Sequence, residues 1–131
     1  MLGSTDWMLV LIAALVNLAI GYVWYSHWLF GSTWLKLAEL KSKDVKRNKN
    51  AILWTCLNSL VIAFFLEFFA RHVGVDAVTE GVFLGFIIWL GFVATTQIAS
   101  VIWRRKPFQL FLIDSGYKLL SFLVMGGIVG A

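Results

Sequence analysis

The sequence predicts an all-α protein: a membrane-embedded antiparallel four-helix bundle with a short interfacial amphipathic helix after the first span. Three observations predict it. Residues of the set AVILMFWYC make up 60% of the chain, against roughly 45–50% in an ordinary soluble domain even with glycine counted. Charged residues make up 14%, about half the usual share. The apolar residues also gather in four runs, each near the roughly 20 residues that a helix needs to cross a hydrocarbon core of about 30 Å. A chain of 131 residues cannot hide that much apolar surface in one water-soluble core, so a bilayer is the simpler solvent. The whole chain, 1–131, reads as a single transmembrane domain.

The first span runs from about Trp7 to Ser26. Asp6 stands directly before it, no basic stretch precedes it, and Trp24, Tyr25 and His27 follow where a cleavage site would need small residues. It therefore reads as a retained helix and not as a signal peptide. The segment of about 27–50 comes next. Within it Trp34, Leu37, Ala38 and Lys41 share one helical face, and Lys36, Glu39 and Lys43 share another. That pattern suits a short helix lying in the membrane interface. The second span runs from about Ala51 to Ala70, the third from about Gly81 to Trp103, and the fourth from about Phe108 to Gly130. Pro107 fits the first turn of the fourth helix, where its missing N–H has no intrahelical acceptor to lose.

Basic residues set the orientation. The first loop carries Lys36, Lys41, Lys43, Lys46, Arg47 and Lys49, and the third carries Arg104, Arg105 and Lys106. The second loop has only Arg71, beside Asp76 and Glu80. The two basic loops lie on one side of a four-span chain, so that side is expected to be cytoplasmic, in a cell inner (cytoplasmic) membrane, with both termini outside. Trp24, Trp28, Trp34, Trp54 and Trp103 fall near the inner boundary and Trp7 near the outer one, as aromatic belts do. Lys41, Lys43, Lys46, Arg47, Lys49, Arg104, Arg105 and Lys106 are the expected contacts to anionic lipid headgroups. Their first meaning is a topology signal. They are too few and too close to the membrane for nucleic acid.

Several function classes fall away. One cysteine, Cys56, permits no internal disulfide. With His27 and His72 far apart, it offers no zinc set. No phosphate-binding loop, nucleophile elbow or metalloprotease motif is present. Tyr25, His27 and Asp114 are titratable groups on the inner side, but no nucleophile or metal set accompanies them. The expectation is a protein without enzymatic activity, cofactor or metal.

Short signatures run in order along the chain. The first span ends in Trp24-Tyr25-Ser26, followed by Leu29-Phe30-Gly31 and Trp34; the third contains Gly85 to Thr96, "GFIIWLGFVATT"; Arg105 and Pro107 follow, then Gly116 to Gly127, "GYKLLSFLVMGG". Together they resemble the domain of unknown function 1761 family of small bacterial membrane proteins, over nearly the whole chain. The resemblance implies a four-helix membrane protein and no particular activity.

The polar residues of the spans converge at one depth. At about 1.5 Å per residue, Asn17, Asn58, Thr96, Gln97, Asp114 and Lys118 all lie roughly 9–15 Å from the inner ends of their helices. Asp114 and Lys118 share a face at i, i+4, where such a pair can close on itself. Polar stripes facing hydrocarbon would be expensive, so these should face one another or a partner subunit. In one reading the layer is interhelical glue and the protein is a structural or accessory membrane subunit. In the alternative it is an ion or ligand pathway and the protein is a small channel or transporter. Gly81/Gly85 and Gly126/Gly130 mark close helix approach, within the chain or across a dimer. Four spans enclose little volume for a private pore, so a homo-oligomer is expected, with another membrane subunit as the other partner class. Glu67 and Arg71, near the outer boundary, read as a snorkelling anchor.

Overall fold

A computed structural model describes residues 5–26, 29–38 and 49–131. All regular structure among them is helical. His27, Trp28, Lys41, Lys43, Lys46 and Arg47 lie outside the described residues, as does the side chain of Lys49. Four stretches of helix are long and apolar enough to cross a membrane. Each end falls within about three residues of the boundary expected from sequence, the usual uncertainty of helix ends.

Helix α1 (Trp7–Trp24) begins at Asp6, whose carboxylate accepts the N–H of Leu9 at 3.3 Å. Asp6 is therefore an N-cap, which satisfies one orphan donor and complements the helix dipole. After α1 the chain doubles back. The Gly31 N–H reaches the Ser26 carbonyl at 2.9 Å, and a Cβ at Gly31 would collide with the carbonyl oxygens of Tyr25 and Ser26. Only glycine fits there. Helix α2 (Gly31–Leu37) follows. Of the amphipathic helix expected from sequence, Trp34 and Leu37 fall in α2 and Ala38 is its C-cap, while Glu39, Lys41 and Lys43 lie outside the described residues.

Helix α3 (Lys49–Val73) ends in a left-handed turn at Gly74, φ 88°. The Val75 N–H bonds the Ala70 carbonyl at 2.8 Å, the six-to-one closure of a glycine C-cap. The third span is not one regular helix. It comprises α4 (Val78–Ile88), a π-helical turn (Trp89–Ala94) and α5 (Thr95–Trp103). A widened turn loosens the backbone ladder. Here the Thr95 hydroxyl donates to the Gly91 carbonyl at 2.9 Å, and the Thr96 hydroxyl to those of Phe92 and Val93 at 2.7 and 2.9 Å. Helix α6 (Phe108–Gly130) starts one residue after Pro107, which is its N-cap rather than part of its first turn.

The core lies between α1, α3 and α6. Val10, Ala13 and Ala14 meet Ala63, Leu66 and Ala70, and Phe122, Met125 and Val129 close the centre. Each set recurs at three or four residues, one face of its helix. Helix α6 is the most covered, with 50% of its central window buried, against 6% for the third span. The glycine steps turn out to serve contacts within the chain. Gly81 lies against Gly126 and Gly130, and Gly85 against the backbone of Phe122. A Cβ at Gly81 would meet the Gly126 carbonyl, and one at Gly85 the Phe122 carbonyl.

This contact generates a comparison of two glycine variants. Gly81→Ala forces α4 off α6 and should lower stability by about 1–3 kcal/mol. Gly91→Ala has nothing within 4 Å of the added methyl, and alanine is the better helix former by about 0.5–1 kcal/mol, so it should be neutral or stabilising. Thermal unfolding of both variants in detergent checks the pair.

Candidate functional site

The polar residues of three helices meet beside Asp114. On α1, Asn17 is buried and its amide donates to the Ser59 hydroxyl of α3 at 2.5 Å. Tyr117 of α6 donates its hydroxyl to the Asn17 side-chain oxygen at 2.9 Å and lies 3.2 Å from the Asn17 carbonyl. Just past α1, the Tyr25 hydroxyl donates to Asp114 Oδ1 at 2.6 Å. The rings of Tyr25 and Tyr117 meet edge to face, centroids 5.4 Å apart.

Two indoles bracket the carboxylate. Trp24 Nε1 donates to the Ile113 carbonyl and Trp89 Nε1 to the Ser115 carbonyl, both at 3.0 Å. These carbonyls flank Asp114 in sequence, so α6 is held on either side of it by α1 and by the π turn. Glycine notches admit the rings. Gly21 faces the Tyr117 hydroxyl at 3.0 Å, and Gly116 faces the Trp24 ring at 3.2 Å, both measured from where a Cβ would stand.

The layer expected from sequence is therefore regrouped. Asn17 and Asp114 take part in it. Lys118 does not pair with Asp114, because among the described residues the ion pair is Arg71–Glu67. Its ammonium lies 5.2 Å from the centre of the Tyr117 ring instead, still close enough to Asp114 for the two charges to attract. Asn58 is exposed, and its neighbour Ser59 makes the interhelical bond. Thr96 is exposed and bonded into its own helix. Gln97 reaches the layer's edge, with Oε1 buried and without a hydrogen-bond partner.

Two cavities flank the layer. A cleft of about 610 Å³ is lined by Asn17, Gly21, Tyr25, Asn58, Tyr117 and Lys118 among others. A smaller cavity of about 160 Å³ lies between α5 and α6, lined by Gln97, Ser100, Arg104, Lys106 and Asp114 with three apolar neighbours. The Tyr25–Asp114 hydrogen bond joins a wall of the first to a wall of the second. Arg104, Arg105 and Lys106 are exposed.

At the far end of α3 the Glu67–Arg71 pair departs from the snorkelling expectation. Arg71 is partly exposed, but Glu67 is 2% exposed and accepts from Arg71 Nε at 2.6 Å and from the Asp6 N–H at 3.4 Å. Arg71 also donates to the Thr5 hydroxyl at 3.2 Å. The pair ties the entry of α1 to α3, a reach of over sixty residues that helical spacing alone does not reveal. Among the described residues no three His, Cys, Asp or Glu side chains gather where they could hold a metal ion.

Ser59 belongs to the polar stripe that sequence places on the second span with Thr55 and Asn58, whereas Tyr25, Tyr117, Trp24 and Trp89 are partners that the polar residues alone did not single out. The available signal was the pairing of aromatic residues with glycines on other spans. The family model described as protein of unknown function (DUF1761) matches residues 8–130. No curated protein and no solved structure matches the chain.

The tyrosine–carboxylate contact generates a stability prediction. Tyr25→Phe removes the donor to Asp114 and should cost about 1.5–3 kcal/mol, as for a hydrogen bond to a charged group. Lys118→Met removes a ring contact and a longer-range attraction to Asp114, with no direct ion pair, and should cost about 0.5–1 kcal/mol. Melting curves in one detergent should rank them in that order; the reverse ranking would restore the Asp114–Lys118 bridge.

Proposed function

The chain belongs to that family, and from this premise we propose that it is an integral inner-membrane protein without enzymatic activity, a structural or accessory subunit that assembles as an oligomer. One observation carries the reading. The layer's hydrogen bonds join α1, α3 and α6 to one another, whereas the third span, packed on α6 through Gly81 and Gly85, keeps a row of large apolar side chains exposed. A polar layer hydrogen-bonded between helices acts as glue, each interhelical bond adding about 0.6–2 kcal/mol. The exposed third span, with Phe83, Ile87, Leu90 and Ile102 outward, is then the face for lipid or for a second membrane subunit, most simply a second copy. The bundle is antiparallel, its basic loops are cytoplasmic and both termini are outside. Anionic lipids on the cytoplasmic side meet the basic loops.

The large cleft favours a second reading, a small channel or transporter. Lys118 and Asn58 line it, and a polar wall inside a bilayer is where a solute would pass.

Two experiments test these statements. Alkaline phosphatase fused after Ala131 should be active, and a fusion within the loop at Arg105 inactive; the opposite pattern inverts the topology. In liposomes the purified chain should pass neither ions nor small solutes, while Ile87→Cys or Ile102→Cys should crosslink copies of the chain. Measurable flux from folded protein replaces the accessory reading with the transport one.

A further inference from the structure

The smaller cavity has an unusual charge arrangement. Gln97, Ser100 and Arg104 lie on one face of α5 at i, i+3 and i+7. The chain then reverses. Arg104 and Lys106 both donate their backbone N–H to the Ser100 carbonyl, at 3.1 and 3.2 Å. Between them Arg105 sits in the left-handed region, φ 55°, which residues with a side chain rarely adopt. The result is that Arg104 and Lys106 line the cavity. Asp114 lines it from α6.

Neither cation forms an ion pair with Asp114. Opposite charges therefore share the walls of one cavity of about 160 Å³ without touching. Tyr25 engages only Oδ1 of the carboxylate, and the Gln97 carbonyl oxygen nearby has no partner. A purely anionic ligand would meet Asp114, and a purely cationic one would meet Arg104 and Lys106. A ligand that carries both charges satisfies all three groups. Its ammonium must bear N–H bonds to donate to the carboxylate, which a trimethylated amine cannot do. Its anionic end suits the arginine fork. The volume holds a headgroup-sized molecule, not a large solute.

We propose that the cavity between α5 and α6 binds a small zwitterion, a primary ammonium held by Asp114 and a phosphate or carboxylate held by Arg104 and Lys106. The source is either an aminophospholipid headgroup or a free amino-phosphate. The inference rests on the bilayer placement proposed above and on nothing else in that reading.

Native mass spectrometry of the purified full chain tests it with three lipids, phosphatidylethanolamine, phosphatidylcholine and phosphatidylglycerol. A thermal-shift titration with O-phosphoethanolamine is the soluble arm. A lipid source predicts that phosphatidylethanolamine binds at least about fivefold tighter than either other lipid. A free source predicts no lipid preference but saturable stabilisation by O-phosphoethanolamine. Asp114→Asn keeps an acceptor for Tyr25, so it should fold, and it should abolish the preference for the ammonium. Arg104→Gln with Lys106→Gln should abolish binding of both probes. Wild-type protein that responds to neither probe overturns the proposal, as does one that prefers phosphatidylglycerol or an Asp114→Asn variant with unchanged selectivity. Carbonate extraction of membranes separates the two readings: release of the chain sinks the bilayer placement, whereas retention without selectivity sinks only this site.

Discussion

The bundle depends on one contact, the backbone-to-backbone approach of α4 and α6 at Gly81, Gly85 and Gly126. Apolar side chains gain little by leaving lipid for one another, so helices in a bilayer associate where their surfaces fit most closely. This chain fits closest where neither helix has a side chain in the way. Leu84, Ile88, Trp89 and Val93 of the third span also pack against the core, but this approach is the part of its attachment made backbone to backbone. It also fixes the rotation of α6. With the glycine face of α6 turned to α4, Phe122, Met125 and Val129 turn to the core, and Tyr117 turns to Asn17.

The π turn begins at the end of the same attachment. An α-helix from Val78 to Trp103 would carry its faces around at 3.6 residues per turn. Gly81, Gly85 and Trp89 stand at i, i+4 and i+8 and so share the face turned to α6, where Trp89 reaches the Ser115 carbonyl; the widened turn at Trp89–Ala94 shifts the phase only for α5 beyond it. Gly91 and the hydroxyls of Thr95 and Thr96 make the irregularity affordable, since the loosened carbonyls gain side-chain donors. In the proposed bilayer no water could have taken that role.

Much of the architecture was legible in the sequence because apolar length and loop charge are one-dimensional signals. The four spans, the N-terminal position of Asp6 and the close approach at the glycines were all visible there. Interhelical partners were not. Asn58 and Ser59 are adjacent residues, and helical rotation alone decides which faces α1; a shift of one residue is about 100°. Thr96 looked like a layer residue by depth, but its hydroxyl had a nearer acceptor in its own widened turn, which periodicity did not predict. Glu67 looked like half of an exposed anchor because i, i+4 spacing says nothing of what lies beyond the pair, here Thr5 and Asp6.

The separation of Asp114 from Lys118 is the least expected outcome and the most informative one. Four residues apart on one helix, they had every local reason to pair. The Tyr25 hydroxyl offers Asp114 a neutral donor instead, and the Tyr117 ring offers Lys118 a face. A direct bridge would have cancelled both charges and sealed the layer. The carboxylate lines the smaller cavity and the ammonium lines the larger cleft. Each charge thus keeps an open side. The layer thus joins α1 to α3 through Asn17 and Ser59 and, on α6, sets Asp114 and Lys118 on the walls of two different cavities.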